Sequence, residues 1–179
     1  MVLRDREVWA EVPENGAAIK IDSLNGVYVY YNGPIHHVAG RHLAADGYNY
    51  GLKWQCVEFV KRYYADYLGH YMPDTWGNAK DFYNSALPDA SYNTARALVQ
   101  YSNPSLKQPA VNDIIVFDGT LANSYGHIAI VSAVTDDHIE IIQQNAGAEV
   151  PTREQLTLEK DGKRWKVKNR RVLGWLRIE

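Results

Sequence analysis

"YNYGLKWQCVEFVKRYYADYLG", Tyr48 to Gly69, is the stretch on which the fold turns. Apolar or aromatic side chains recur at Cys56, Val57, Phe59, Val60, Tyr63, Tyr64, Tyr67 and Leu68. The charges fall between them, at Glu58, Lys61, Arg62 and Asp66. That spacing predicts an amphipathic helix beginning at Cys56, with Gly69 supplying the left-handed residue that ends it. Cys56 is the sole cysteine of 179 residues, and it stands at the helix mouth. Unpaired N–H groups and the helix dipole favour negative charge there, and so favour a thiolate. Cysteine is also among the residues most often buried and chemically silent. Position alone supports a packed thiol and a nucleophile alike.

A cysteine nucleophile needs a base, usually a histidine oriented by a third group. Of His36, His37, His42, His70, His127 and His138, five fall in loops, at a helix end or at a turn. His127 instead follows Gly126 and opens an apolar strand, "HIAIVSAV", where packing explains an imidazole poorly. The next strand, "HIEIIQQN", follows a "TDD" turn at Thr135–Asp137. Pairing through that turn returns Gln143, Gln144 and Asn145 to the His127 end. Alternation puts Gln143 and Asn145 on one face and Gln144 on the other. A side-chain carbonyl from this group would hold the imidazole; the plainer reading is polar strand-end residues facing solvent. His36, His37 and His42 form a loose cluster without a suitably spaced acid or thiol, so no metal site is expected.

The rest of the chain supplies the frame. Residues 1–25 are mixed and polar and read as a peripheral N-terminal extension. "GVYVYYNG", Gly26 to Gly33, reads as a strand, and Pro34 to Gly51 as a long loop. Further helices are expected over Trp76–Leu87 and Tyr92–Tyr101. Strands are expected at Ile114–Phe117, from Gly126, from His138, at 164–168 and at 172–179. Helices first and antiparallel strands second give an α+β domain occupying 1–179.

Composition narrows the class. Thirteen Tyr and five Trp against three Phe suit half-buried surfaces and grooves. A net charge of -2 offers no electrostatic case for nucleic acid or an anionic membrane. One cysteine excludes an internal disulfide and a cysteine-rich zinc site. The charged N-terminus lacks the apolar core of a signal peptide, so the expected location is cytoplasmic, or outside by a signal-independent route. Oligomeric state leaves no trace in the sequence.

"GLKWQCVEFVKRYY", "GHIAIVSAV", "IIQQN" and the terminal "LGWL" together resemble the CHAP family, the cysteine, histidine-dependent amidohydrolases/peptidases. The resemblance runs in order from about Gly26 to Trp175. It implies a papain-like, NlpC/P60-type α+β fold: N-terminal helices carrying the nucleophile, packed on an antiparallel sheet carrying the histidine. It implies Cys56 as nucleophile and His127 as general base, with no cofactor. The family pattern at the third position is of the type "EQN"; "QQN" here puts Gln143 where a glutamate is expected, while Asn145 matches. A carboxylate would stabilise imidazolium more than an amide does, yet an amide still fixes the tautomer. The Cys56 N–H and the Gln55 side chain are the expected oxyanion donors. Trp54 and Tyr50 are candidate substrate contacts, and Asp118 is a further polar candidate. The implied substrate is a small-molecule or peptide amide. The "KWQCVEF" form resembles the glutathionylspermidine amidase branch of the family, and acidic Asp46, Asp74, Asp81 and Asp118 would suit a polyamine. Peptidoglycan cleavage by a lysin or effector is the alternative substrate class. A CHAP-shaped binding module weakened at Gln143 is the non-enzymatic one.

Overall fold

The computed structural model describes residues 18–147 and 149–179. The chain opens with β1 (Lys20–Leu24), β2 (Val27–Tyr30), β3 (Arg41–Leu43) and β4 (Asn49–Leu52), then α1 (Cys56–Arg62). It continues through β5 (Ser91–Asn93), β6 (Leu98–Ser102), β7 (Ile114–Phe117) and β8 (His127–Val134). It ends with β9 (His138–Ile142), β10 (Arg153–Asp161), β11 (Arg164–Val167) and β12 (Val172–Arg177). Eight strands make one sheet in the order β11-β10-β9-β8-β7-β12-β6-β5, every pair antiparallel. β1–β2 and β3–β4 are separate hairpins.

β7 shows why the sheet sits at the centre. Its sequence IIVF is buried throughout, so both faces carry apolar cargo. Ile114 and Val116 face a layer formed by Phe59, Val60, Tyr63 and Tyr64 of the helical segment, with Ile128, Ile130, Ile142 and Leu176. Ile115 and Phe117 face a second cluster built on Val131, Ile139, Ile141, Leu156 and Trp175. That second face is enclosed because the sheet curls. Ser105, beyond β6, exchanges both backbone hydrogen bonds with Trp165 of β11, at 3.0 and 2.7 Å.

The expected helix at Cys56 is present. After Arg62 it loosens into one π-helical turn, Tyr63–Tyr67, and Gly69 follows at φ +64°. The other two expected helices are not helices. Only Ala79–Phe82 forms a short 3₁₀ turn within 76–87. The buried Gln100 side chain accepts from Asn84 N (2.8 Å) and donates to Asn84 O (2.9 Å), consuming the backbone groups a longer helix would use. Residues 92–101 form the β5–β6 hairpin, because buried Asn93 bonds Phe82 O and Gln100 Oε1, each at 3.1 Å. The architecture among the described residues is thus mostly sheet with one short α-helix, not several helices on a sheet. The expected loop 34–51 contains the β3–β4 hairpin. Of the expected extension 1–25, β1 is part of the body: Asp22 holds Arg153 of β10 at 3.0 Å. Residues 1–17 lie outside the described part.

Candidate active site

Cys56 is placed by a strained turn. Gly51 has φ +131°, and a Cβ there would approach Glu58 N to 3.3 Å, so β4 passes tight against the first turn of α1. Trp54 then takes φ +58°, and Gln55 is extended at φ -85°, ψ 162° before the helix begins at Cys56. α1 packs against both β4 and β8. β9 leaves its partner after Ile142, opposite Ile130, so the start of β8 is open on that side. The helix N-terminus seats in the gap, with the Ile128, Val57 and Cys56 N–H groups favouring the ionised sulfur. Burial outweighs them and pushes the Cys56 thiol up. The helix N-terminus thus favours the ionised sulfur while burial opposes it.

His127 opens β8 opposite Phe117. Gly126 before it has φ +77°, and a Cβ would fall 2.5 Å from Phe117 O and 2.8 Å from Lys80 Cβ; no other residue fits. The imidazole Nε2 lies 2.9 Å from Gln143 Oε1. The orientation of that amide is fixed from behind. Gln143 Nε2 donates to Pro151 O at 3.1 Å, and a carbonyl only accepts, so Oε1 faces the ring. Nε2 therefore carries the proton and Nδ1 keeps its lone pair. Burial brings His127 down to about 4, partly countered by the Gln143 bond. Burial therefore works against charge on both side chains.

Gln144, on the opposite face as alternation requires, ties the two halves together. Its Oε1 accepts from Tyr30 N (2.8 Å), and its Nε2 donates to Gln55 O (2.9 Å) and Glu58 Oε2 (2.8 Å). Glu58 is fully buried and also takes His42 Nδ1 (2.7 Å) and Arg62 Nε (2.6 Å). Burial opposes its charge, but these bonds win and hold the carboxyl below its ordinary range.

Cys56, His127, Gln55 and Asn145 line one cavity of about 550 Å³, with Arg41 and Trp76. Asn145 departs from the strand pattern. Its backbone is left-handed at φ +55°, and its Nδ2 donates to Gln55 Oε1 (2.6 Å) and Ile35 O (3.0 Å). It positions Gln55, not His127. Gln55 Nε2 gives one hydrogen to His37 O (2.9 Å) and keeps a second.

Three expected substrate contacts do not reach the cavity lining. Tyr50 is buried and donates to Asp66 Oδ1 at 2.6 Å. Trp54 packs on Tyr30, ring centroids 4.2 Å apart. Asp118 accepts from Gly119 N at 2.7 Å in its own turn. Asp46, Asp74 and Asp81 are likewise outside the lining, and no carboxylate among the described residues lines it. Among the described residues no three His, Cys, Asp or Glu side chains converge for a metal, and His42 is committed to Glu58. Sequence reading missed Arg41 as a lining residue. Its signal was a lone cation in a stretch read as loop.

A family model described as the CHAP domain matches residues 46–145. The chain is 27% identical over 116 residues to trypanothione synthetase of Crithidia fasciculata, covering 65% of this chain and 18% of that protein. It is 27% identical over 142 residues to glutathionylspermidine synthase of the same organism, covering 72% of this chain and 19% of that protein. The chain spans under a fifth of the length of each of these relatives. Among solved structures, the crystal structure of Ly7917 aligns with a TM-score of 0.45 at 20% identity, over 70% of this chain and 53% of that one. The crystal structure of Ly7917 with the hydrolyzing product of MDP aligns at 0.42 and 22% identity, over 70% and 54%.

Proposed function

The chain belongs to the CHAP domain family, and from that premise we propose that it is a thiol amidohydrolase working through a Cys56–His127 acyl-enzyme. The observation that carries the reading is the shared cavity: one small space is lined by the single cysteine and by a histidine whose Nε2 is occupied by Gln143. The papain-like arrangement enters here too, as a helix-borne thiol set against a histidine on an antiparallel sheet.

The chemistry follows from the hydrogen bonds. As Sγ attacks the amide carbonyl, its proton passes to the free Nδ1 of His127. The carbonyl oxygen, now negative, is met by the Cys56 N–H and the spare Gln55 Nε2 hydrogen. Imidazolium returns its proton to the departing amine, the C–N bond breaks, and a thioester remains. Water then gives a proton to Nδ1 while its oxygen attacks the thioester; collapse releases the acid and restores the thiol. Gln143 accepts from Nε2–H throughout, which holds the ring in the tautomer that can act. Asn145 keeps Gln55 aimed.

For substrate, we favour a glutathionylspermidine-type amide. Its support is the "KWQCVEF" form and the named activities of the two relatives, which extend to this chain at family level only. The test incubates the protein with glutathionylspermidine and, separately, with purified peptidoglycan, each followed by mass spectrometry. Glutathione and spermidine should appear, and Cys56→Ala and His127→Ala should each lower the rate by at least about 10³-fold with the fold intact. Release of muropeptide fragments alone would move the assignment to peptidoglycan. Cleavage of neither, with tight binding of either, would make the chain a binding module.

A further inference from the structure

We propose that Arg41 is a carboxylate-recognition residue, so that the amides cleaved at Cys56 carry an anionic group on their acyl half. This rests on the amidohydrolase reading and adds the chemical class of its substrate.

Arg41 lies in β3 and lines the same cavity as Cys56. Its guanidinium is pinned on two sides. Nη1 donates to Asn49 Oδ1 at 3.2 Å, and the Trp76 ring stacks 4.5 Å from the guanidinium carbon. Asn49 is itself buried and donates to Thr75 O at 3.2 Å, and buried Lys61 donates to Thr75 O at 3.0 Å. The exposed guanidinium and the exposed Trp76 ring thus rest on a buried base of Asn49 and Lys61. Yet among the described residues Arg41 has no carboxylate partner. Glu58 is taken by His42 and Arg62, Asp22 by Arg153, and Asp113 by Arg177. Nearby Asp74 and Asp81 accept from the backbone N–H groups of Trp76 and Asn78. A planar, pre-oriented fork of N–H donors, stacked on an aromatic ring and free of a native acid, is the geometry that binds a carboxylate in two-pronged fashion.

Direction follows from the proton. The leaving amine must take its hydrogen from His127, so it sits at the β8 end of the cavity. Residues 75–79 line the space between, from Trp76 at Arg41 to Ala79, whose neighbour Lys80 bonds Tyr125 O at 3.0 Å. α1, which begins at Cys56, packs against β4, the partner of the Arg41 strand, and against β8, which begins at His127. The acyl half then extends toward Arg41.

The experiment compares γ-glutamyl-S-methylcysteinyl-glycine methylamide with the same peptide whose α-carboxylate is a carboxamide. Wild type should show kcat/KM about 10- to 100-fold higher for the carboxylate form, expressed in KM. Arg41→Gln should bring the carboxylate form down to its carboxamide analogue, Arg41→Lys should keep part of the preference, and Arg41→Glu should invert it. A preference that is absent in wild type, or that survives Arg41→Gln, overturns the proposal. If wild type cleaves neither peptide, it is the reaction on this substrate that fails. Calorimetric binding to Cys56→Ala then decides Arg41 separately: tighter binding of the carboxylate form, lost in Cys56→Ala/Arg41→Gln, supports it, and equal binding of both forms overturns it.

Discussion

Replacing Gln143 by glutamate should change the charge state of the resting site. Gln143 is 3% exposed and its Oε1 lies 2.9 Å from His127 Nε2. A carboxylate there places unit charges about 4 Å apart. At an effective dielectric of about 20 that attraction is about 4 kcal/mol, or about 3 pKa units on His127. Part of it is lost. The Gln143 N–H that now serves Pro151 O disappears, and Glu154 Oε2, 3.5 Å from Gln143 Nε2, becomes a like-charged neighbour. With those costs the net rise is about 1.5 to 2 units, lifting the imidazole from about 4 to around 6. The thiolate–imidazolium form then gains about 30- to 100-fold over the neutral pair. The assay is the second-order rate of Cys56 alkylation by iodoacetamide from pH 4 to 10, with the His127 titration followed by NMR. Wild type should label slowly at pH 6, since its thiol is pushed up and its imidazole pulled down. Gln143→Glu should label at least about 10-fold faster at pH 6, with a plateau beginning there. Identical pH profiles, or an unmoved His127 titration, would refute the claim that the neutral amide sets the protonation state.

Gly126→Ala combines a positive φ with contacts of 2.5 and 2.8 Å to Phe117 O and Lys80 Cβ. It should cost roughly 3 kcal/mol in urea denaturation and misplace His127; a loss below about 1 kcal/mol would mean the turn yields easily. Glu58→Gln strips the charge partner from Arg62 while keeping the shape. It should destabilise by about 3 kcal/mol, and because the native carboxyl is held below its ordinary range, the gap from wild type should begin to close at the ordinary carboxyl range and go on closing as pH falls below it, through the depressed native value. A gap that is constant down to pH 2 would show the charge to be immaterial.

The Cys56 helix, the His127 strand and the Thr135–Asp137 turn were legible because each rests on local periodicity and turn chemistry. The two lost helices failed for one shared reason. Gln100 and Asn93 look like surface amides in sequence, but they are buried clamps that take up the backbone of Asn84 and Phe82. β10 was missed although Leu156 and Leu158 alternate correctly, because charged neighbours at Glu154 and Glu159 masked its half-buried face. Within the candidate site, Cys56, His127 and Gln55, named through the family resemblance, line one cavity, and Gln143 bonds His127. Asn145 took another role because its left-handed backbone ends the alternation that the strand imposes. Tyr50, Trp54 and Asp118 were chosen for proximity in sequence to β4, α1 and β7. Side-chain direction, set by the Trp54 turn and the Asp66 and Gly119 bonds, sent them elsewhere.

The amide at 143, where the family resemblance leads one to expect a glutamate, then has a specific physical meaning. A carboxylate in that position does two things, fixing the ring and stabilising its charge; an amide anchored by Pro151 does only the first. On the proposed mechanism the ring still presents Nδ1 to the thiol, but charge would form at the moment of attack instead of being stored beforehand. Such a site depends more heavily on whatever holds the substrate still, since proximity must supply what a preformed thiolate would have supplied. The Arg41–Trp76 pair lining the same cavity is placed for that task. On the proposed reading, a neutral amide beside His127 and an anionic acyl group held at Arg41 would be two parts of one arrangement, the second offsetting the charge the first does not supply.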